Sequence, residues 1–278
     1  MKKNLKALVV AAATLALTAV MLAGCSSGGD AQKSEGAGDG AADATTFTVG
    51  FDKAYPPYGF VGDDGEFAGI DLDMAKEVCE RNGWDLKLEA IDWDAKDALI
   101  DSGAITCIWN GFTIEGREAD YAFTEPYMLN EQVIVVKKGS DVKSIDDLAG
   151  KTVMTQVDSA ALDVLEGEDY ADAVAKFAAL DTIADYNTAF MQLESGAVDA
   201  VACDLSIADY NMAGNDKYVK LAEPLSSEHY GVGFKKGNTE MADKVTATLK
   251  EMYADGTIKQ LCEKYAEYGV SFDNWVLK

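Results

Sequence analysis

Apolar residues first gather in LVVAAATLALTAVML, residues 8–22, an unbroken run preceded by Lys2, Lys3 and Lys6 and followed by Ala23-Gly24-Cys25. A charged start, a short apolar core and small residues before a cut site predict a secretory signal peptide over 1–24, and the run is short for a membrane span. SSGGDAQKSEGAGDGAADATT has no apolar periodicity and predicts a flexible tether over 25–46. From Phe47 the pattern changes. FTVGF alternates as a strand, and the paired prolines of DKAYPPYGF stop any helix there. Asp71 is the expected N-cap of a helix in which Leu72, Ala75, Val78 and Cys79 recur at helical spacing until Asn82-Gly83. DLKLEAI reads as a strand, Asp94 to Asp101 as a helix closed by Ser102-Gly103, and AITCIW as the next strand, ending at Trp109.

A second series follows VIVVKKG. Ser144 caps a short helix in SIDDLAG, KTVMT is a strand and DSAALDVLEG a helix. ALIDSGAITCIWNG at 98–111 is echoed by MQLESGAVDAVACD at 191–204. Both read helix end, acid, Ser-Gly-Ala, apolar strand, and Gly111 falls opposite Asp204. Alternating strands and helices predict parallel sheets. Ligands of open α/β sheets bind beyond the carboxyl ends of the strands, so two such units suggest two lobes facing one cleft. The echo alone is also common α/β grammar.

Composition narrows the partners. With 24 Lys and Arg against 48 Asp and Glu, the formal charge of -24 argues against nucleic acid, whose phosphates need a basic stripe. Cys25 after Ala-Gly resembles the lipobox of bacterial lipoproteins, which implies a thiol acylated with diacylglycerol and a body tethered beside a membrane. Cys79, Cys107, Cys203 and Cys262 sit in apolar patterns without CxxC spacing, and His229 is the lone histidine. No zinc site is expected, and buried free thiols are favoured over a disulfide. His229 reads as a pH switch or, more simply, as an ordinary residue of its strand.

The stretch WNGFTIEGRE places a bare backbone, a hydroxyl and a guanidinium close together, chemistry suited to an anion. With VGFDKAYPPYGF, GEFAGIDLDMAKEV, FTEPYMLNEQVIVV, SIDDLAGKTVMTQ, LESGAVDAVACD, HYGVGFKKGN and LKEMYADGTIKQLCEKY in order, the body resembles the family 3 solute-binding proteins of ABC importers for polar amino acids. The resemblance implies an α/β, two-lobed periplasmic-binding-protein-like fold of type II with two hinge strands, near Gln132 and near His229-Tyr230. Lobe 1 would hold 45–130 and 231–278, and lobe 2 would hold 131–230. It implies no cofactor, no covalent chemistry, and delivery to permease subunits with a separate ATPase.

The same resemblance assigns roles. Arg117, Thr113, Ser159 and Ala160 match the partners of the ligand carboxylate, and Asp204 with Gly111 those of its amine. Tyr55 and Trp93 match the aromatic sandwich. Asp52, Asn110 and Gln156 face the ligand side chain. TIEGR places Arg117 four positions past Thr113 where many relatives have five, leaving Gly116 to absorb the shorter turn. Gly59 stands where several relatives have Glu. The set leans towards an amide, a cation or a disulfide-linked amino acid and away from an acidic one. From the residues alone, Arg117 could instead pair with Glu115 or Glu118, Asp204 could cap the following helix, and Tyr55 and Trp93 could be core. Two other classes share the fold: an exported cyclohexadienyl dehydratase, and a sensor partner that presents its ligand to a receptor.

Overall fold

The computed structural model describes residues 45–278. The expected signal peptide, Cys25 and nearly all of the expected tether lie outside the described residues. Thr46, placed in the tether by composition, already pairs with Asp85 in the first strand.

Strand β1 (Thr46–Phe51) leads to a small antiparallel sheet of β2 (Ala54–Tyr55), β3 (Gly59–Val61) and β4 (Phe67–Ala68). Helix α1 (Ile70–Asn82), β5 (Asp85–Ala90), α2 (Lys96–Ser102), β6 (Cys107–Thr113) and β7 (Tyr121–Phe123) follow. After β8 (Met128–Lys137) come β9 (Thr152–Gln156), α3 (Ala160–Glu166), α4 (Ala171–Val174), β10 (Ala179–Ile183), α5 (Tyr186–Ser195) and β11 (Ala200–Asp204). The chain closes with α6 (Leu205–Met212), β12 (Tyr218–Lys220), β13 (Ser226–Lys235), α7 (Thr239–Ala254) and α8 (Thr257–Lys264).

The large sheet runs β10-β9-β11-β8-β13-β6-β1-β5, with β12 beside β8 and β7 beside β13. One half is parallel through β5, β1 and β6, the other through β10, β9 and β11. Antiparallel β8 and β13 join them. Met128–Gln132 of β8 faces Ser226–Tyr230 of β13, then β8 continues against β11 while β13 continues against β6. Each crossing strand thus serves both halves. β11 is apolar from Ala200 to Cys203 and fully buried, as expected of a strand covered on both faces.

Helix α1 buries Ile70, Met74, Ala75, Val78 and Cys79, a stripe at helical spacing. It ends at Gly83, whose left-handed backbone (φ 67°) returns its N–H to Cys79 and Glu80. The expected cap at its start is corrected. Gly69 is the N-cap, and Asp71 lies inside the first turn with its carboxylate turned into the core. The expected end of the strand at Trp109 is also corrected. β6 runs on through Asn110-Gly111-Phe112-Thr113, because Gly111 (φ 58°) bends the strand and the register against β13 shifts without breaking the pairing.

Candidate functional site

Both half-sheets send their carboxyl ends to one narrow cavity. β6 contributes Asn110, Gly111, Phe112 and Thr113, and the loop after it contributes Arg117. Tyr55 and Trp93 come from the same side. Across from them stand Gln156 at the end of β9, Ser159 and Ala160 at the start of α3, and Asp204 at the end of β11. Ten of the residues singled out from the sequence therefore meet here. Asp52 lies just behind them, bonded to Gln156. A wider, more open recess adjoins the mouth and shares Arg117. It is lined by surface acids and lysines, whereas the buried polar groups converge on the inner cavity.

The cavity is closed by bonds between its two walls. Trp93 Nε1 donates to the carbonyl of Asp158 at 3.1 Å, and Gln156 Nε2 donates to Asp52 Oδ2 at 2.7 Å. Arg117 Nη2 lies 2.7 Å from Asp163 Oδ2, and its guanidinium stands over Phe112. Arg117 thus pairs with neither Glu115 nor Glu118, the two partners its local sequence offers. Glu115 is instead bonded to His229 on the crossing strand.

Asp204 precedes α6 in the N-cap position, but its side chain makes no capping bond. Its Oδ1 accepts from Asn130 Nδ2 at 3.0 Å, Gln132 Nε2 at 2.8 Å and Tyr230 Oη at 3.0 Å. Burial pushes its carboxyl up from the ordinary range, and these donors oppose the shift. Asp52 is likewise pushed up, first by burial, while the Ala54 N–H and Gln156 amide hold it down.

Other positions depart from their simple reading. The Thr113 hydroxyl donates to Glu228 Oε1 at 2.8 Å. Ser159 caps α3 by accepting from Leu162 N–H at 3.2 Å. Asn110 Oδ1 accepts from the Asp52 N–H, which leaves Asn110 Nδ2 buried with no partner. An orphaned buried donor costs about 1–3 kcal/mol, so a ligand acceptor there would be rewarded. A side chain at Gly59 would meet Phe51 and that same Asn110 nitrogen, which explains the missing glutamate.

Sequence reasoning missed three groups that shape this site. Asp71 accepts from the Gly111 N–H at 2.6 Å and from Tyr127 Oη, fixing the strand where it bends. Asn130 and Glu228 complete the network around Asp204. One signal was present: Asn130, Gln132, Glu228 and Tyr230 fall at period two with the apolar residues of their strands, on the buried side.

Residues 47–268 match the family model for bacterial extracellular solute-binding proteins, family 3. The L-cystine-binding protein TcyJ of Escherichia coli (strain K12) is 31% identical over 79% of this chain and 82% of its own length. The L-cystine-binding protein TcyA of Bacillus subtilis (strain 168) is 30% identical over 98% of this chain and all of its own. Among solved structures, a histidine-bound substrate-binding protein of an ABC uptake transporter from Streptococcus pneumoniae superposes with a TM-score of 0.76 at 31% identity. It covers 82% of this chain and 94% of that one. These relatives are substrate-binding proteins, not enzymes, and their fold is the two-lobed type II arrangement with two hinge strands.

Proposed function

The chain belongs to the bacterial extracellular solute-binding proteins, family 3, and from that premise we propose that it captures a polar amino acid outside the cytoplasm for an ABC permease. The observation that carries this reading is that Arg117 and Asp204, opposite in charge, line one cavity from its two walls with Tyr55 and Trp93 beside them. A zwitterion needs an anion partner and a cation partner once desolvated.

In this reading the guanidinium of Arg117 takes the α-carboxylate, helped by Thr113 and by Ser159 and the Ala160 N–H at the start of α3. Asp204 takes the ammonium on Oδ2, since Oδ1 already accepts three bonds. The Gly111 backbone adds an acceptor. Tyr55 and Trp93 flank the aliphatic part, and Asp52, Asn110 and Gln156 face the side chain. The orphaned Asn110 amide and the Asp52 carboxylate together suit an amide, a cationic or a disulfide-linked amino acid. Residues 45–130 and 231–278 form lobe 1 and 131–230 form lobe 2, with opening about β8 and β13. A ligand that touches both walls favours the closed form. Cys25 carries the lipid that keeps the body at the membrane.

The test is a thermal-shift panel of the standard amino acids plus ornithine and cystine, followed by calorimetry. A ligand at 100 times its dissociation constant adds about 2.7 kcal/mol of stability. A clear shift with a polar amino acid is expected, and a flat panel would overturn the reading. Cys25→Ala is expected to move the protein from the membrane fraction to the soluble one.

A further inference from the structure

A buried acid pair lies where the two crossing strands meet β11. Glu228 on β13 and Asp204 at the end of β11 are 2% and 4% exposed. They share their donors. Gln132 Nε2 lies 2.8 Å from Asp204 Oδ1 and 2.8 Å from Glu228 Oε1. Asn130 Nδ2 lies 3.0 Å from the first and 2.8 Å from the second. The two carboxylate oxygens are therefore within two hydrogen-bond lengths of each other. Among the described residues, neither carboxylate has a cation in an ion pair. Their donors are two amides, the Tyr230 hydroxyl on Asp204 and the Thr113 hydroxyl on Glu228. Amides and hydroxyls orient a carboxylate without neutralising it. Gln132 leaves its own Oε1 unpartnered to do so.

We propose that Glu228 is a positioning residue of the ammonium subsite: in the empty protein it and Asp204 hold one proton between them, and the ammonium of an arriving amino acid replaces that proton. The inference rests on Asp204 being the amine's partner. Two like charges in a dry interior do not both ionise readily. On binding, one carboxyl O–H bond breaks and its proton passes to solvent. The ammonium, which arrives with its charge, donates to Asp204. The pair gains one negative charge as the ammonium brings one positive charge, so the net charge of the ammonium subsite is unchanged, and the ligand carboxylate is met separately at Arg117.

The surroundings support the exchange. Tyr55, Tyr58, Tyr186 and Tyr230, and the Cys203 thiol, face Asp204, and burial raises all of them well above their ordinary values, so none supplies the proton. Glu228 itself is pushed up to about 7, first by burial and then by Asp204. Arg117, the cation on the cavity wall, is committed to Asp163. Glu131, which lies between Asn130 and Gln132, projects from the other face of β8. His229 is bonded to Glu115.

Calorimetry of the full chain with the amino acid found by the panel tests this, in buffers of different ionisation enthalpy at one pH. About one proton released per ligand is expected near pH ~6, falling to none by pH ~8.5, with affinity rising up to about tenfold per pH unit across the lower part of that range. Glu228→Gln should bind with no proton released and a flat pH profile. His229→Gln should keep the release. Buffer-independent heats in the wild type near pH ~6, or undiminished release in Glu228→Gln, would overturn the proposal. Infrared difference spectra of the empty wild type minus Glu228→Gln near pH ~6 should show one additional protonated carboxyl band in the wild type, the Asp71 band being common to both and cancelling. Because that arm needs no ligand, a protein that binds no amino acid sinks the transport reading while the proton pair is still decided. The absence of the band overturns the pair.

Discussion

Arg117 Nη2 sits 2.7 Å from Asp163 Oδ2, so the guanidinium on the cavity wall is paired with a carboxylate of the protein itself. The Asp163 side chain is 62% exposed, and a solvent-screened pair of this kind is worth at most about 1 kcal/mol. In the proposed binding mode, a desolvated ligand carboxylate gripped by both guanidinium arms would outcompete it.

Arg117→Ala is expected to weaken amino-acid binding by about 30-fold or more, the effect of stranding a buried carboxylate (about 2–5 kcal/mol). Asp163→Asn should leave affinity within about fivefold of wild type, because it removes only the screened competitor. Titration calorimetry reads both, and normal binding by Arg117→Ala would remove Arg117 from the carboxylate site.

Gly111→Ala should destabilise the fold by about 1–3 kcal/mol and weaken binding. An added Cβ would lie 3.1 Å from Tyr230 and 3.2 Å from Tyr55, on a backbone with φ 58°. Urea unfolding measures the loss. An unchanged midpoint would mean that the bend in β6 relaxes at no cost.

Asp71 predicts a pH dependence. Burial, opposed by the Gly111 N–H and the Tyr127 hydroxyl, raises its carboxyl from 3.8 to about 7. A raised acid holds its proton more tightly in the folded state. Between those values the folded chain binds more protons than the unfolded one, so this group's contribution falls as pH rises and is flat above the folded value. The steepest slope for one group is about 1.4 kcal/mol per pH unit. Melting curves from pH ~4 to ~8 should show that Asp71→Asn removes part of the wild-type decline. A parallel pair of profiles would show that Asp71 is ionised throughout.

Cys79, Cys107, Cys203 and Cys262 are free and buried. Burial pushes Cys79 and Cys262 up to about 12 and raises Cys107 and Cys203 well above the ordinary thiol value. Only the thiolate attacks a disulfide or alkylating reagent. All four should stay unlabelled in the native protein and react in denaturant, as peptide mass mapping would show. Native labelling of any of them would reveal local opening.

Local pattern carried much of this protein. Alternation marked β1 and β5, helical spacing marked α1, and Ser-Gly pairs ended α2 and α5 where Gly103 and Gly196 adopt left-handed caps. The cavity residues were legible for a related reason: a polar residue at the end of an apolar strand, such as Asn110 or Asp204, stands out against its neighbours. Asp71 was misread because Asp before a helical stripe normally caps it, and only the distant Gly111 N–H drew its carboxylate inward.

The sequence by itself determined the apolar faces and the helix and strand pattern of the main units, since period and turns are properties of short stretches, and its ordered motifs pointed to the candidate site residues. Tertiary structure alone decided that Arg117 pairs with Asp163, that β6 continues past Gly111, and that Asp204 and Glu228 share two amides. The side-chain bonds join groups from 46 to 98 positions apart, and the pairing past Gly111 joins Phe112 to Gly231. The bonds around Asp204 and Glu228 exist because the crossing of β8 and β13 fixes the register that brings Asn130, Gln132 and Glu228 to one buried point.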